Sequence, residues 1–202
     1  MLRFLALAAI AALLAACSRG VQEGGRARAA GAIRFDIAAD PANLNPLFLH
    51  QDASSVEQQM ARLAFLPFID LDARGRAVPE LLERIPTIAN GGVSPDGRTI
   101  VYRLRAGIRW SDGVPVGAGD VLFTLQAILD PRNPVPSHEG YDLIDRARAR
   151  DARTVVFHLR RAWAPAVTTF FSYGFRPQFV LPRHILARER PLAQAPFNAA
   201  PA

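Results

Sequence analysis

The sequence contains no lysine and a single cysteine among its 202 residues. One cysteine excludes an intramolecular disulfide framework, and the four histidines are scattered without the spacing of a metal site. All 24 basic residues are arginine, against 18 acidic residues, which leaves a net charge of +6. Nucleic-acid-binding surfaces usually mix lysine with arginine and gather them on one face, whereas these arginines are interspersed with acids. The composition therefore predicts a solvated surface and no nucleic-acid partner.

The sequence also lacks an apolar run of the roughly 20 residues that a membrane-spanning helix requires. Its apolar run at 4–14 follows Arg3 and has the length of the hydrophobic region of a signal peptide. The run closes on L-A-A-C at 14–17, which is similar to the lipobox of bacterial lipoproteins. This resemblance implies a signal peptide over 1–16 and a diacylglycerol on the thiol of Cys17. The alternative is an ordinary cleaved signal peptide that is followed by a stray cysteine.

Residues 17–30 are rich in Gly, Arg and Ala and are predicted to form a flexible tether. Ser18 stands where an aspartate marks retention in the inner membrane of Gram-negative cells, so an outer-membrane anchor is favoured there. The expected location is therefore that of a membrane-anchored lipoprotein that faces the periplasm or the cell surface.

Half of the residues are hydrophobic and 21% are charged, which is typical of a globular protein. Alternating and helical spacings of apolar residues separate the elements of the folded part. The predicted strands are 33–37, 100–104, 108–110 and 154–160. The predicted helices are 54–65, 80–84 and 118–129. The apolar residues of the last helix predict one buried stripe, made of Val121, Leu122, Leu125, Ile128 and Leu129. Strands and helices mix without strict alternation, so we expect an α+β or mixed α/β fold.

One long segment resembles a known family. Residues 103–124 read R-L-R-A-G-I-R-W-S-D-G-V-P-V-G-A-G-D-V-L-F-T. This is similar to a signature of the extracellular solute-binding proteins, family 5, which are the peptide, dipeptide and nickel receptors of ABC importers. Shorter stretches extend the resemblance over about 33–198. They are D-P-A-N-L-N-P at 40–46, V-P-E-L-L at 78–82, T-V-V-F at 154–157 and F-V-L-P-R-H-I-L at 179–186. Gly117 and Gly119 depart from the family pattern, which has polar residues there.

The resemblance implies a fold like that of the class II periplasmic binding proteins, in which two lobes close on a ligand. It implies the first part of lobe I over 31–66, an inserted mixed α/β subdomain over 67–170, and a return toward lobe I over 171–202. Family members are longer and continue into a further lobe. The sequence is therefore expected to be incomplete, with the second ligand-binding lobe missing.

The resemblance also implies a site and partners. The loop that enters the first helix, with His50, Gln51 and Asp52, is the expected ligand-contacting segment of lobe I, although any exposed loop has similar polar residues. The expected partners are a peptide-like solute and the permease and ATPase subunits of an importer. We expect a monomer that reaches the membrane only through its lipid anchor.

Other chemistries find less support in the residues. Asp112 and Asp120 are candidates for an acid/base pair, but a turn and a helix start explain both better. Trp110 and Trp163 are candidates for stacking on a ligand, and core packing is the favoured interpretation. We therefore expect no catalytic residues, no metal and no cofactor. Two hypotheses remain open, a solute-binding component of a peptide importer and a lipid-anchored remnant or interaction lipoprotein that binds no small solute.

Overall fold

The computed structural model describes residues 40–41, 43–49, 56–172, 177–189 and 191–198. All of them belong to one compact unit that spans 37–202. The predicted strand 33–37 and the predicted site residues Cys17, His50, Gln51 and Asp52 lie outside the described residues. None of the described helices has the length and apolar character needed to cross a membrane.

Two antiparallel sheets form the β structure of the described part. The small sheet pairs β1 with β2, and the larger sheet has the strand order β3–β5–β4. The strand bounds are Ile69–Leu71 (β1), Ala77–Pro79 (β2), Thr99–Arg103 (β3), Ile144–Asp151 (β4) and Thr154–Leu159 (β5). The predicted strands at 100–104 and 154–160 are thereby confirmed. Burial alternates along β3, whereas the central strand β5 is buried on both faces apart from His158.

In the described part of the chain, four α-helices and four short 3-10 helices accompany the sheets. The α-helices are Val56–Ala64 (α1), Ala118–Leu129 (α2), Ala166–Thr169 (α3) and Arg183–Leu186 (α4). The 3-10 helices are Pro46–Phe48, Tyr141–Leu143, Leu192–Gln194 and Pro196–Asn198. The predictions of helices at 54–65 and 118–129 are confirmed for the described residues. Helix α2 packs on β4 and β5, and α4 packs on α2.

The main core lies between the larger sheet and the elements that cover its inner face. Alternate residues of β3 and β5 supply that face, among them Tyr102 and Phe157, which are fully buried. Tyr102 and Phe157 meet at an edge-on angle, and Phe157 also contacts Phe170. Aromatic pairs of this kind add about 0.5–1.5 kcal/mol each beyond the area that they bury.

The predicted helix at 80–84 is wrong. Residues 80–84 form bends around a single bridge, in which Leu82 pairs with Leu104, and the amide of Arg105 donates to the carbonyl oxygen of Leu81. The predicted strand at 108–110 reduces to a single bridge, between Arg109 and Pro115.

The buried stripe predicted for α2 is also partly wrong. Leu129 is 42% exposed, whereas Phe123 and two polar residues, Asp120 and Thr124, are buried. The reason is that the segment leading into α4 covers the side of α2 that carries the polar pair, so more than one face of the helix is enclosed.

The ends of the range 67–170 lie side by side. The amide of Phe68 donates to the carbonyl oxygen of Phe171 over 2.6 Å. Phe171 has a φ of 51°, a left-handed backbone conformation that costs an ordinary residue about 1–2 kcal/mol. Its amide donates to the buried hydroxyl of Tyr141, which helps hold this conformation, and burial raises the pKa of that hydroxyl. The division of the chain into a subdomain over 67–170 and flanking segments of lobe I stays a prediction, because the apolar core is continuous across these boundaries.

Candidate functional site

The loop predicted to contact ligand begins at a small apolar cluster. Leu49, the residue before His50, is buried against Ala61 of α1 and Phe179, and Phe65 packs on the same group. Phe65 and Phe179 are 6.1 Å apart between ring centres. The structure therefore fixes where the chain enters the segment 50–52, beside the end of α1.

A cleft opens next to this cluster, around Trp110. It has an empty volume of about 350 Å³ and is mostly apolar. Its lining residues are Ala64, Phe65, Leu66, Leu81, Ile108, Arg109, Trp110, Val116 and Val180. The indole Nε1 of Trp110 is buried and has no hydrogen-bond partner among the described residues. The cleft thus offers mostly apolar walls, with Arg109 at its edge donating to the carbonyl oxygen of Gly113.

Both tryptophans pack against the apolar core, which is the interpretation that the sequence favours. Trp110 meets Phe65 edge-on, with ring centres 6.4 Å apart, and lies against the main core. Trp163 packs on Phe170 at 5.8 Å. Core packing is thereby confirmed for both rings.

Asp120 joins two segments that are far apart in sequence. One carboxylate oxygen accepts the amide of Gly117, which caps α2, at 2.8 Å. The other accepts the amide of Arg183, at the start of α4, at 2.9 Å. Thr124, one turn further along α2, accepts the amide of Leu181 through its hydroxyl oxygen at 2.8 Å. The end of the long signature at 103–124 therefore holds the segment 179–186 in place.

Asp112 makes a second connection between the same two segments. Its carboxylate accepts the His184 Nε2–H at 2.6 Å, and both side chains are partly exposed. A structural role is thus confirmed for each of Asp112 and Asp120, since each is occupied by its own hydrogen bonds. Sequence reasoning missed the partner His184. The signal for it was the family-like V-L-P-R-H at 180–184, which does not by itself indicate a contact with Asp112.

A third connection ties the beginning of the described chain to its end. The side-chain amide of Asn45 donates to the side-chain oxygen Oδ1 of Asn198 at 2.9 Å. The backbone amide of Leu44 donates to the backbone carbonyl oxygen of Asn198 at 3.1 Å. Asn45 is fully buried and also caps the 3-10 helix Pro46–Phe48. The stretch D-P-A-N-L-N-P at 40–46 thus has a structural function that the sequence alone did not reveal.

Within the described ranges, no three His, Cys, Asp or Glu side chains come together as metal ligands. What the arrangement offers is a mostly apolar cleft beside Trp110, on a frame that the three connections hold together.

The hydrogen bond between His184 and Asp112 sets a pH-dependent property. The donor His184, with the amide of Val114, holds the pKa of the Asp112 carboxyl below its ordinary value of 3.8. Because the pKa of Asp112 is lower in the folded state than in the unfolded state, its carboxylate stabilises the fold at a pH above the unfolded-state pKa. This stabilisation is lost as the pH falls through the folded-state pKa. We expect His184→Ala to raise the pKa of Asp112 toward 3.8, as followed by carboxyl NMR titration.

Asp96 provides the internal control for that titration. The hydroxyl of Ser94 and the amide of Arg98 lower its pKa, and His184 is not among the causes. The pKa of Asp96 should therefore stay constant in His184→Ala. An unchanged Asp112 pKa would show that the contact with His184 does not control this carboxyl in solution.

The model of "Bacterial extracellular solute-binding proteins, family 5 Middle" matches residues 76–201. The chain is 30% identical over 199 residues to Protein XP55 of Streptomyces lividans, with 97% of this chain and 33% of that protein covered. It is 29% identical over 122 residues to the oligopeptide-binding protein OppA of Bacillus subtilis, with 60% of this chain and 20% of that protein covered. The chain thus spans a third or less of the length of these curated relatives.

Among solved structures, the fold is similar to that of NikZ from Campylobacter jejuni in complex with Ni(L-His). The TM-score is 0.66 at 22% identity, and the match covers 81% of this chain and 29% of that chain. This likeness confirms the predicted mixed α/β fold class, of which the matched part is about three tenths of the complete structure.

Proposed function

Because the chain belongs to the bacterial extracellular solute-binding proteins, family 5, we propose that it serves in the substrate-binding component of an ABC-type peptide importer. The observation that carries the proposal is the family match over 76–201. Within that range, the hydrogen bond from the Arg183 amide to Asp120 joins two segments that resemble the family. This structural use of Asp120 supports a binding protein whose subdomain 67–170 is joined to the return segment 171–202.

A peptide-like solute is the ligand class that we favour. The relative OppA is named as an oligopeptide-binding protein, whereas NikZ was solved with a nickel–histidine complex. The cleft at Trp110 has mostly apolar walls, which suit an apolar side chain of a peptide. The protein would bind its solute without transforming it.

The remaining parts of the proposal concern the complete protein. Lobe I over 31–66 and its return over 171–202 would pack beside the subdomain 67–170, and a further lobe would close on the ligand by hinge motion. Family members are periplasmic or extracellular, and we propose that Cys17 carries the lipid that keeps this one at a membrane. The protein would act as a monomer and deliver its solute to the permease and ATPase subunits.

The ligand loop gives the direct test of solute binding. We expect His50→Ala/Asp52→Ala, made in the product of the complete coding region, to weaken peptide binding at least tenfold, which is about 1.4 kcal/mol. The physical reason is that short polar groups at the entry to α1 would hydrogen-bond the peptide backbone. Isothermal titration calorimetry with a set of di- to nonapeptides measures the effect.

The matched control is His138→Ala/Asp142→Ala, which removes the same two residue types at exposed positions beside the 3-10 helix Tyr141–Leu143. Unaltered affinity in the loop variant would remove His50 and Asp52 from the site. If the unaltered protein binds no peptide and no nickel complex, the importer proposal fails and the remnant or interaction lipoprotein gains support. Reading the nucleotide sequence beyond codon 202 in all three frames shows whether a second lobe is encoded.

A further inference from the structure

The outward face of the larger sheet is rich in arginine. On β4, Arg146 and Arg148 lie opposite His158 and Val156 of β5, whereas Ala147 and Ala149 lie opposite the core residues. Because side chains alternate between the two faces of a strand, Arg146 and Arg148 project to the side away from the core. Arg150 continues this row. We name Arg84, Arg103, Arg146, Arg148 and Arg150 the arginine face.

The arginine face continues onto the neighbouring loop and strand. Arg84, Arg103 and Arg150 line one shallow groove of about 510 Å³, together with Val101 and the turn at 90–92. All five arginines of the face are exposed. The row on β4 and the groove therefore form one continuous cationic surface on an extended sheet.

Few acids neutralise this surface. Arg103 is 3.9 Å from Glu83, but Glu83 is already held by Arg153 at 2.8 Å. The other four arginines of the face make no ion pair within the described part of the chain. Of the acids of β4, Asp145 precedes the arginine row, and Asp151 lies on the outward face, where it and Arg103 both pair with Thr154 and attract each other. The protein thus keeps several positive charges without internal partners on one side.

We propose that the arginine face docks the protein onto the anionic phospholipid headgroups of a membrane. Charge complementarity is the argument for this occupant, since a row of unpaired guanidinium groups on an extended sheet fits a broad anionic surface better than one small anion. Binding through guanidinium groups would be electrostatic and therefore sensitive to salt. This inference goes beyond solute binding and does not depend on it.

Vesicle co-sedimentation of the full chain tests the proposal. We expect strong binding to phosphatidylcholine vesicles with 30% phosphatidylglycerol, weak binding to phosphatidylcholine alone, and loss of the difference at high salt. Each arginine near an anionic surface raises the membrane partition coefficient by a factor of about five. Removing two charges in Arg146→Gln/Arg148→Gln should therefore lower this coefficient about 30-fold. Charge reversal in Arg146→Glu/Arg148→Glu should abolish the preference for anionic lipid. Residual binding through the apolar leader is common to all variants and does not need anionic lipid.

The matched control is Arg74→Gln/Arg188→Gln, which removes the same net charge elsewhere. Arg74 lies between β1 and β2, and Arg188 follows α4, which packs on α2 and not on the outward face of the sheet. Surface potentials fall off within about 8 Å at physiological salt, so this variant should bind almost as well as the unaltered protein.

Three results would overturn the proposal. The first is an equal loss of vesicle binding in Arg146→Gln/Arg148→Gln and in Arg74→Gln/Arg188→Gln. The second is vesicle binding that does not depend on phosphatidylglycerol. The third is that Arg146→Gln/Arg148→Gln weakens binding to dextran sulfate but not to vesicles, which would indicate a soluble polyanion instead. Equal thermal unfolding of all variants, followed by circular dichroism, ensures that each result reports on the surface and not on folding.

Discussion

Asp120→Ala is expected to lower the free energy of unfolding by about 3–5 kcal/mol. The carboxylate is 7% exposed and accepts two backbone amides, those of Gly117 and Arg183. Alanine would leave both N–H donors without their acceptor in a mostly buried place. Each such donor costs about 1–3 kcal/mol, and hydrogen bonds to a charged acceptor lie at the upper end.

The effect should reach beyond helix α2. Because Asp120 holds the start of α4, its loss should also loosen the segment 179–186, whose Leu181 amide depends on the adjacent Thr124. Urea denaturation gives the free energy, and amide hydrogen exchange of Leu181 and Arg183 reports on the segment. Faster exchange there, at a pH where the fold is intact, is the expected local signature.

Asp112→Ala is the matched control, because it removes the other aspartate that joins the same two segments. Asp112 and its partner His184 are partly exposed, with 42% and 29% of their side-chain surface accessible. Water can replace a partner at such a position, so the effect on unfolding should be much smaller than that of Asp120→Ala. Equal effects of the two substitutions would mean that burial of Asp120 does not determine its contribution.

Local patterns predicted the elements that they control. The alternation in β3 and β5 and the helical spacing in α2 are properties of the segments themselves, and the structure has all three. Residues 80–84 show the opposite case. Pro79 followed by Glu, Leu, Leu and Glu suits a helix start, but backbone hydrogen bonds with Arg103 and Arg105 hold the segment in bends beside β3. Tertiary pairing of this kind leaves no trace in a local window.

The connections of the site follow the same logic. A turn at Asp112 and a helix start at Asp120 are local features, so their structural roles could be predicted from the sequence. The partners could not, since His184 lies 72 residues from Asp112 and Arg183 lies 63 residues from Asp120. Asn45 and Asn198 are 153 residues apart. The resemblance to a family marked both ends of each pair, but only the fold shows that they meet.

Gly140→Ala is expected to lower the free energy of unfolding by about 2–5 kcal/mol, for two separable reasons. Gly140 has a φ of 77° at the start of the 3-10 helix Tyr141–Leu143, and a left-handed backbone costs alanine about 1–2 kcal/mol. In addition, a Cβ at this position would overlap the six-membered ring of Trp163. Displacing a ring that packs on Phe170 adds about 1–3 kcal/mol of overpacking.

Gly75→Ala separates the two contributions, because Gly75 has a similar φ of 73° and no atom within 4 Å of an added Cβ. Gly75→Ala should therefore lower the free energy of unfolding only by the cost of the left-handed backbone, about 1–2 kcal/mol. The difference between the two variants in urea denaturation measures the contact with Trp163, and a shift of tryptophan fluorescence should accompany Gly140→Ala alone. If both variants lose the same free energy and neither changes the fluorescence, Trp163 does not pack against Gly140, and the core around Tyr141 and Phe170 is looser than the structure has it.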